Sequence, residues 1–273
     1  QIQEPSLWIK SKLTNIILSH RGGIGNRKEK PMDTKVKIIS MDEIQAEEIK
    51  WLWKPYIPFG KLTIVQGDPG EGKTTFVLRL AAQLSQGKGF DDSMEISEPM
   101  NVIYQTAEDG LADTIKPRLL SANADCSKIK VIDDTEKSLY MDDERLEIAI
   151  REQNAKLLIL DPLQAYLGDR VDMNRANEAR EMTKKLSAMA ERTGCAVILV
   201  GHMNKGSGAK AAYRGIGSID FFAIARSVLL VGRVPNDSSI RAIVQIKNNL
   251  EKEGETMAFR LSDSGFQWLG ESD

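Results

Sequence analysis

Gly67-Asp68-Pro69-Gly70-Glu71-Gly72-Lys73-Thr74-Thr75 fits the pattern G-x-x-x-x-G-K-[ST] in full and directly follows the apolar run LTIVQ. Residues of these types at this spacing suit a triphosphate. Glycines let main-chain N–H groups turn inward with no Cβ in the way. A helix beginning near Lys73 adds unsatisfied N–H groups and the positive end of its dipole. Lys73 is spaced to reach the β- and γ-phosphates, and the Thr74 hydroxyl to serve Mg²⁺.

Three further positions have the chemistry to complete such a site. Asp161 ends the apolar run KLLILD. Ligands of open α/β sheets sit at strand ends of this kind, and a carboxylate there can hold Mg²⁺ through its water shell. The alternative is a capping role in the turn at Pro162. YQTAEDG ends another apolar run with Glu108 and Asp109. Glu108 is the candidate for polarising the attacking water. Asp109 better suits an acid at the start of the next helix. His202, one of two histidines, ends the run VILVGH. It is either a γ-phosphate sensor or a histidine satisfied at a strand end.

These residues need strands that end on one rim and helices that return the chain to the other. The pattern supplies both. Strands are expected at LTIVQ, NVIYQTAE, KIKVID, KLLILD and CAVILVGH. Helices are expected over 73–86, where Phe76, Val77, Leu80, Ala81 and Leu84 share a face, over DDERLEIAIREQN, and over NEAREMTKKLSAMAERTG up to Gly194. LADTIKPRLLSA reads as helical with a break or bend at Pro117. The strands are continuous apolar runs, as in a parallel sheet covered on both faces. After the helical IDFFAIAR, the runs SVLLVGRV, RAIVQIKNN, MAFRLSD and FQWLG have hairpin spacing. The expected fold class is therefore α/β, mostly parallel, with antiparallel strands at the C-terminal edge. Residues 1–44 read as an arm or linker, and 45–273 as the domain.

Composition narrows the function. The net charge is −2, so contact with a polyanion must come from a local patch. Lys205, Lys210 and Arg214 form such a patch in MNKGSGAKAAYRG, which has no acid. The alternative is a solvated loop. Trp51, Trp53 and Tyr56 in WLWKPYIPFG are expected to plug a core edge. No apolar run is long enough to cross a bilayer, and the two cysteines have no framework spacing. A cytoplasmic location without membrane contact is the expectation.

The set GDPGEGKTT, TAED, LLILDPLQAYLG, VILVGHMNK, YRGIGSIDFFAIARSVLLV and QIKNN resembles RecA-like P-loop ATPases, and within them the RepA-type plasmid helicases and related phage or mobile-element ATPases. The resemblance covers roughly residues 45 to 270. It implies a three-layer RecA-like core that binds ATP and Mg²⁺, assembles as a homo-oligomer, expected to be a hexamer, and holds single-stranded DNA at its centre. Replication or mobile-element proteins are further implied partners. Glu108 matches the catalytic glutamate, Asp161 the Walker B aspartate and His202 the γ-phosphate sensor. The segment 203–215 matches the loop that faces the strand. Lys247 falls where relatives carry a basic finger that enters a neighbour's site, yet here the sequence runs Lys-Asn-Asn with no arginine beside it. The alternative for Lys247 is a lysine at an exposed strand end. Two further readings stay open: an ATP-dependent switch or loader acting on a protein partner, and a filament former.

Overall fold

The structure is a computed structural model that describes residues 37–91, 93–168, 176–202, 219–263 and 265–272. Chain contacts divide it into two units, residues 1–47 and 48–273. Within the first, the described part holds one 3₁₀ turn, Met41–Glu43.

The second unit is built on a nine-stranded sheet. A small antiparallel pair, β1 (Trp51–Trp53) and β2 (Ile57–Pro58), leads in. Then follow β3 (Leu62–Gly67), α1 (Lys73–Ser85), β4 (Asn101–Thr106), α2 (Lys116–Ser121), β5 (Ile129–Lys130), α3 (Glu144–Gln153) and β6 (Ala155–Asp161). The chain continues through α4 (Ala176–Thr193), β7 (Ala196–His202), α5 (Ile219–Ile224), β8 (Ser227–Val234), β9 (Asp237–Asn248), β10 (Met257–Ser262) and β11 (Gly265–Glu271). The strand order is β11-β10-β9-β8-β3-β7-β6-β4-β5. From β8 to β5 all neighbours are parallel, and from β8 to β11 all are antiparallel. The expected fold class stands.

Alternation along each strand divides the core into two layers. Val65, Tyr104, Ile159 and Ile198 pack with Phe76 and Leu80 of α1 on one face. Ile64, Ile103, Leu158 and Val197 pack with Leu146 of α3 and Leu186 and Met189 of α4 on the other. Trp53 and Tyr56 are buried beside Phe76, as the plug reading expected. Among the described residues, no helix is long and apolar enough to cross a membrane.

One local expectation needs correction, and the irregular helix expected around Pro117 is observed. KIKVID pairs only at Ile129 and Lys130. Beyond them the Gln105 side chain takes the place of a strand: its amide donates to the Ile132 carbonyl at 3.2 Å and accepts the Ile132 N–H at 2.6 Å. The helix around Pro117 begins as a π-turn over Leu111–Ile115 and becomes α-helical at Lys116. Pro117 thus sits in the first turn of α2, where its missing N–H costs little.

Helices α3 and α4 are tied by Glu147, which accepts from Arg151 at 2.8 Å and from Arg192 at 2.6 Å. Hydrogen bonds from Arg192 and then Arg151 hold its carboxyl down to about 2, against an ordinary 4.5. A carboxylate depressed in this way stabilises the fold above its unfolded pKa and loses that contribution as pH falls through the folded value. The cluster is partly exposed, so Glu147→Gln should cost about 0.5–1 kcal/mol at neutral pH. In urea unfolding, the gap between wild type and variant should close as pH falls from about 4.5 toward about 2. A gap that persists in acid would mean that packing, not charge, is lost.

Candidate nucleotide and metal site

Register brings the reactive side chains to one rim. Gly67 of β3 lies opposite His202 of β7, and Thr106 of β4 opposite Asp161 of β6. The phosphate loop leaves β3 at Gly67 and enters α1 at Lys73. Two of its glycines are structurally required. A Cβ on Gly67 would lie 2.2 Å from the Val231 carbonyl oxygen of β8. Gly72, just before α1, has φ of +90°, which L side chains rarely adopt. Asp68 and Pro69 form the turn between them, closed by the Glu71 N–H donating to the Asp68 carbonyl at 3.3 Å.

Lys73 is buried, and its ammonium donates to the Gly67 and Asp68 carbonyls, each at 2.9 Å. Burial pushes its pKa down, while the carboxylates of Asp161, Asp68, Glu71 and Glu108 oppose that shift. The ammonium is therefore held at the mouth of the loop by carbonyls and by a ring of negative charge.

Asp161 is only 4% exposed. Burial raises its pKa, and hydrogen bonds from Thr74 and Tyr104 work against that rise. The Tyr104 hydroxyl donates to Asp161 Oδ2 at 3.0 Å. The phenol itself is pushed above its ordinary range by burial and then by Asp161. Among the described residues, no group of three or more His, Cys, Asp or Glu side chains could hold a metal ion. One buried carboxylate beside one hydroxyl suits Mg²⁺, which keeps several waters and takes phosphate oxygens as ligands.

Glu108 and His202 meet at the rim, with Oε2 and Nε2 3.7 Å apart. His202 Nδ1 is buried and has no partner among the described residues. Asp109 is occupied elsewhere: it accepts from Arg118 of α2 at 2.9 Å. The two adjacent acids thus have different partners, His202 for Glu108 and Arg118 for Asp109. Thr75, in the first turn of α1, lines a cleft of about 440 Å³ with Arg79, Arg118, Leu261 and Phe266. The Arg79 guanidinium lies 5.1 Å over the Phe266 ring.

Lys247 stands apart from this rim. Its ammonium donates to the Phe222 and Ala223 carbonyls at 2.5 and 3.1 Å, in α5 of its own chain. That is the position of a helix C-terminal cation, favoured by the dipole. Burial, then Arg226, lowers its pKa. Lys205, Lys210 and Arg214 lie outside the described residues.

Sequence reasoning missed Tyr104, which lies within the apolar run NVIYQTAE. It also missed Arg233 of β8, whose Nε is 3.3 Å from Glu71 Oε1 in the phosphate loop. The signal for Arg233 lay in hairpin register, which places it opposite Arg241.

A family profile described as the AAA domain matches residues 26–208. The DNA repair protein RadA of Halalkalibacterium halodurans is 28% identical over 214 residues, covering 76% of this chain and 40% of that protein. The DNA repair protein RadA of Bacillus subtilis is 28% identical over 148 residues, covering 54% of this chain and 28% of that protein. The chain therefore spans about two fifths, or less, of the length of these curated relatives. Among solved structures, a KaiC-like protein of Pyrococcus horikoshii superposes with a TM-score of 0.56 at 20% identity, over 81% of this chain and 99% of that one. The RadB recombinase gives 0.55 at 18% identity, over 78% and 92%. At these identities the likeness carries the fold, which is RecA-like.

Proposed function

The chain belongs to the AAA domain family, with a RecA-like P-loop fold, and from that premise we propose that it hydrolyses ATP with Mg²⁺ to drive movement along single-stranded DNA. The finer reading is a ring-forming helicase or translocase of plasmid or mobile-element replication, working in the cytoplasm. Residues 45–273 are the motor domain, and 1–44 its arm.

One observation carries this reading: Lys73, the Thr74–Asp161 pair and Glu108 beside His202 converge on one rim of the sheet. Lys73 would bind the β- and γ-phosphates. Thr74 and Asp161 would hold Mg²⁺, which supplies charge neutralisation on the phosphates when bound. Glu108 would orient the attacking water and accept its proton. His202, within reach of Glu108, would report the γ-phosphate to the segment that follows. The names of the relatives, DNA repair protein and recombinase, support DNA as the partner. Lys205, Lys210 and Arg214 would bind the strand through its phosphates.

A second reading is a switch or loader that acts on a protein partner. Lys247 favours it: its ammonium is satisfied by carbonyls of its own chain, which does not suit a finger that enters a neighbour's site. ATP turnover with and without single-stranded DNA separates the two, on material sized by light scattering. Strong stimulation of a ring-sized assembly is expected, with a salt dependence that flattens when Lys205, Lys210 and Arg214 lose their charge. Unstimulated turnover from a monomer or dimer would replace the motor by the switch. Stimulation of an open filament would replace the ring.

A further inference from the structure

The phosphate loop is braced from outside by the antiparallel part of the sheet. β8 and β9 place Arg233 directly opposite Arg241. Two cations opposite each other on one face of a ladder repel. Arg241 is nearly buried, and its guanidinium donates to the Ser238 and Ile240 carbonyls. Arg233 instead reaches across to the loop. Its Nη2 donates to the Gly70 carbonyl at 3.4 Å, and its Nε lies 3.3 Å from Glu71 Oε1.

Glu71 is an odd residue for its place. A carboxylate inside a loop that receives a triphosphate repels its own ligand. The Glu71 side chain is only 16% exposed, and its Oε2 is buried without a hydrogen-bond partner among the described residues. The Arg233 guanidinium thus partly offsets a negative charge that also acts on Lys73 at the loop mouth. Burial and the neighbouring Arg233 lower the pKa of Arg241, and Glu71 opposes that shift. The three groups form one electrostatic unit.

We propose that Arg233 is a positioning residue for the nucleotide: it clamps the phosphate loop at Gly70 and Glu71 and masks the Glu71 carboxylate from the incoming phosphates. The proposal rests on the nucleotide reading above. It makes nucleotide affinity, and not the chemical step, the quantity that depends on Arg233. Lysine in its place would neutralise Glu71 but lacks the forked geometry that also serves the Gly70 carbonyl.

The test is a double-mutant cycle on the full chain, with ADP and ATP binding measured by calorimetry and turnover measured at saturating ATP. Arg233 is half-exposed, so its replacement should leave thermal unfolding close to wild type. Arg233→Ala should weaken binding about three- to tenfold, the size of a partly exposed charge-assisted contact, with saturating turnover within about twofold. Arg233→Lys should recover part of the loss. Arg233→Ala combined with Glu71→Gln should bind more tightly than Arg233→Ala alone, because no unmasked carboxylate remains. Unchanged affinity in Arg233→Ala overturns the proposal, and so does a double variant whose loss is the product of the two single losses. Lost turnover with intact affinity also overturns it, since Arg233 would then act on the reacting phosphates. If the wild type binds neither nucleotide, the functional reading fails and takes the clamp with it. If the wild type binds and Arg233→Ala is silent, the clamp alone fails.

Discussion

Lys73→Ala should reduce ATP turnover by roughly 10²–10³ or more, the loss expected when a group aimed at transition-state charge is removed. The ammonium is buried at the loop mouth and fixed by two carbonyls 2.9 Å away. Stability should change far less than activity. Burial already disfavours the charged lysine in the folded state, so its removal relieves a cost while it forfeits two hydrogen bonds. The measurement pairs single-turnover hydrolysis with thermal unfolding. Near-normal turnover in a folded variant would sink the assignment of the site.

Glu108→Gln should produce a different defect of similar size. The amide keeps the shape of a side chain whose Oε2 lies 3.7 Å from His202 Nε2, but it cannot take a proton from water. A positioned general base contributes about 10²–10⁴ in rate, so turnover should fall within that range while nucleotide binding holds. The control is Asp109→Asn, which breaks the pair with Arg118 and should leave hydrolysis within a few-fold. If Asp109→Asn proves the more damaging, the two acids have been assigned the wrong way round.

Much of this site could be read before any coordinates. The phosphate loop carries its own geometry in its glycines and lysine, and buried parallel strands announce themselves as unbroken apolar runs. The strand-end acid Asp161 follows once the strands are placed, whereas Glu108 lies beyond Thr106, where β4 stops short of the expected NVIYQTAE. What escaped depends on partners distant in sequence. Tyr104 matters because the register of β4 on β6 carries its hydroxyl to Asp161. Arg233 matters because β8 packs on β3, so that a residue late in the chain reaches Gly70 and Glu71. The resemblance implies a finger at Lys247, with a strand-end lysine as the alternative, and the two carbonyls that hold it belong to a helix it meets only in three dimensions. Gln105 completes the pairing of β5 with a side chain, which periodicity has no means to register.

The close approach of Gly67 to the Val231 carbonyl has a meaning for descent as well as for fit. Lys73 is answerable to a ligand, whereas Gly67 is answerable to the neighbouring strand. A lineage that ceased to use nucleotide would be released to replace Lys73 at little cost to folding. The same lineage would still be bound to glycine at position 67, because any side chain there would pry β8 from β3. In a relict of this kind the first glycine of the loop would outlast the lysine, and would mark the ancestry of a chain whose chemistry had gone.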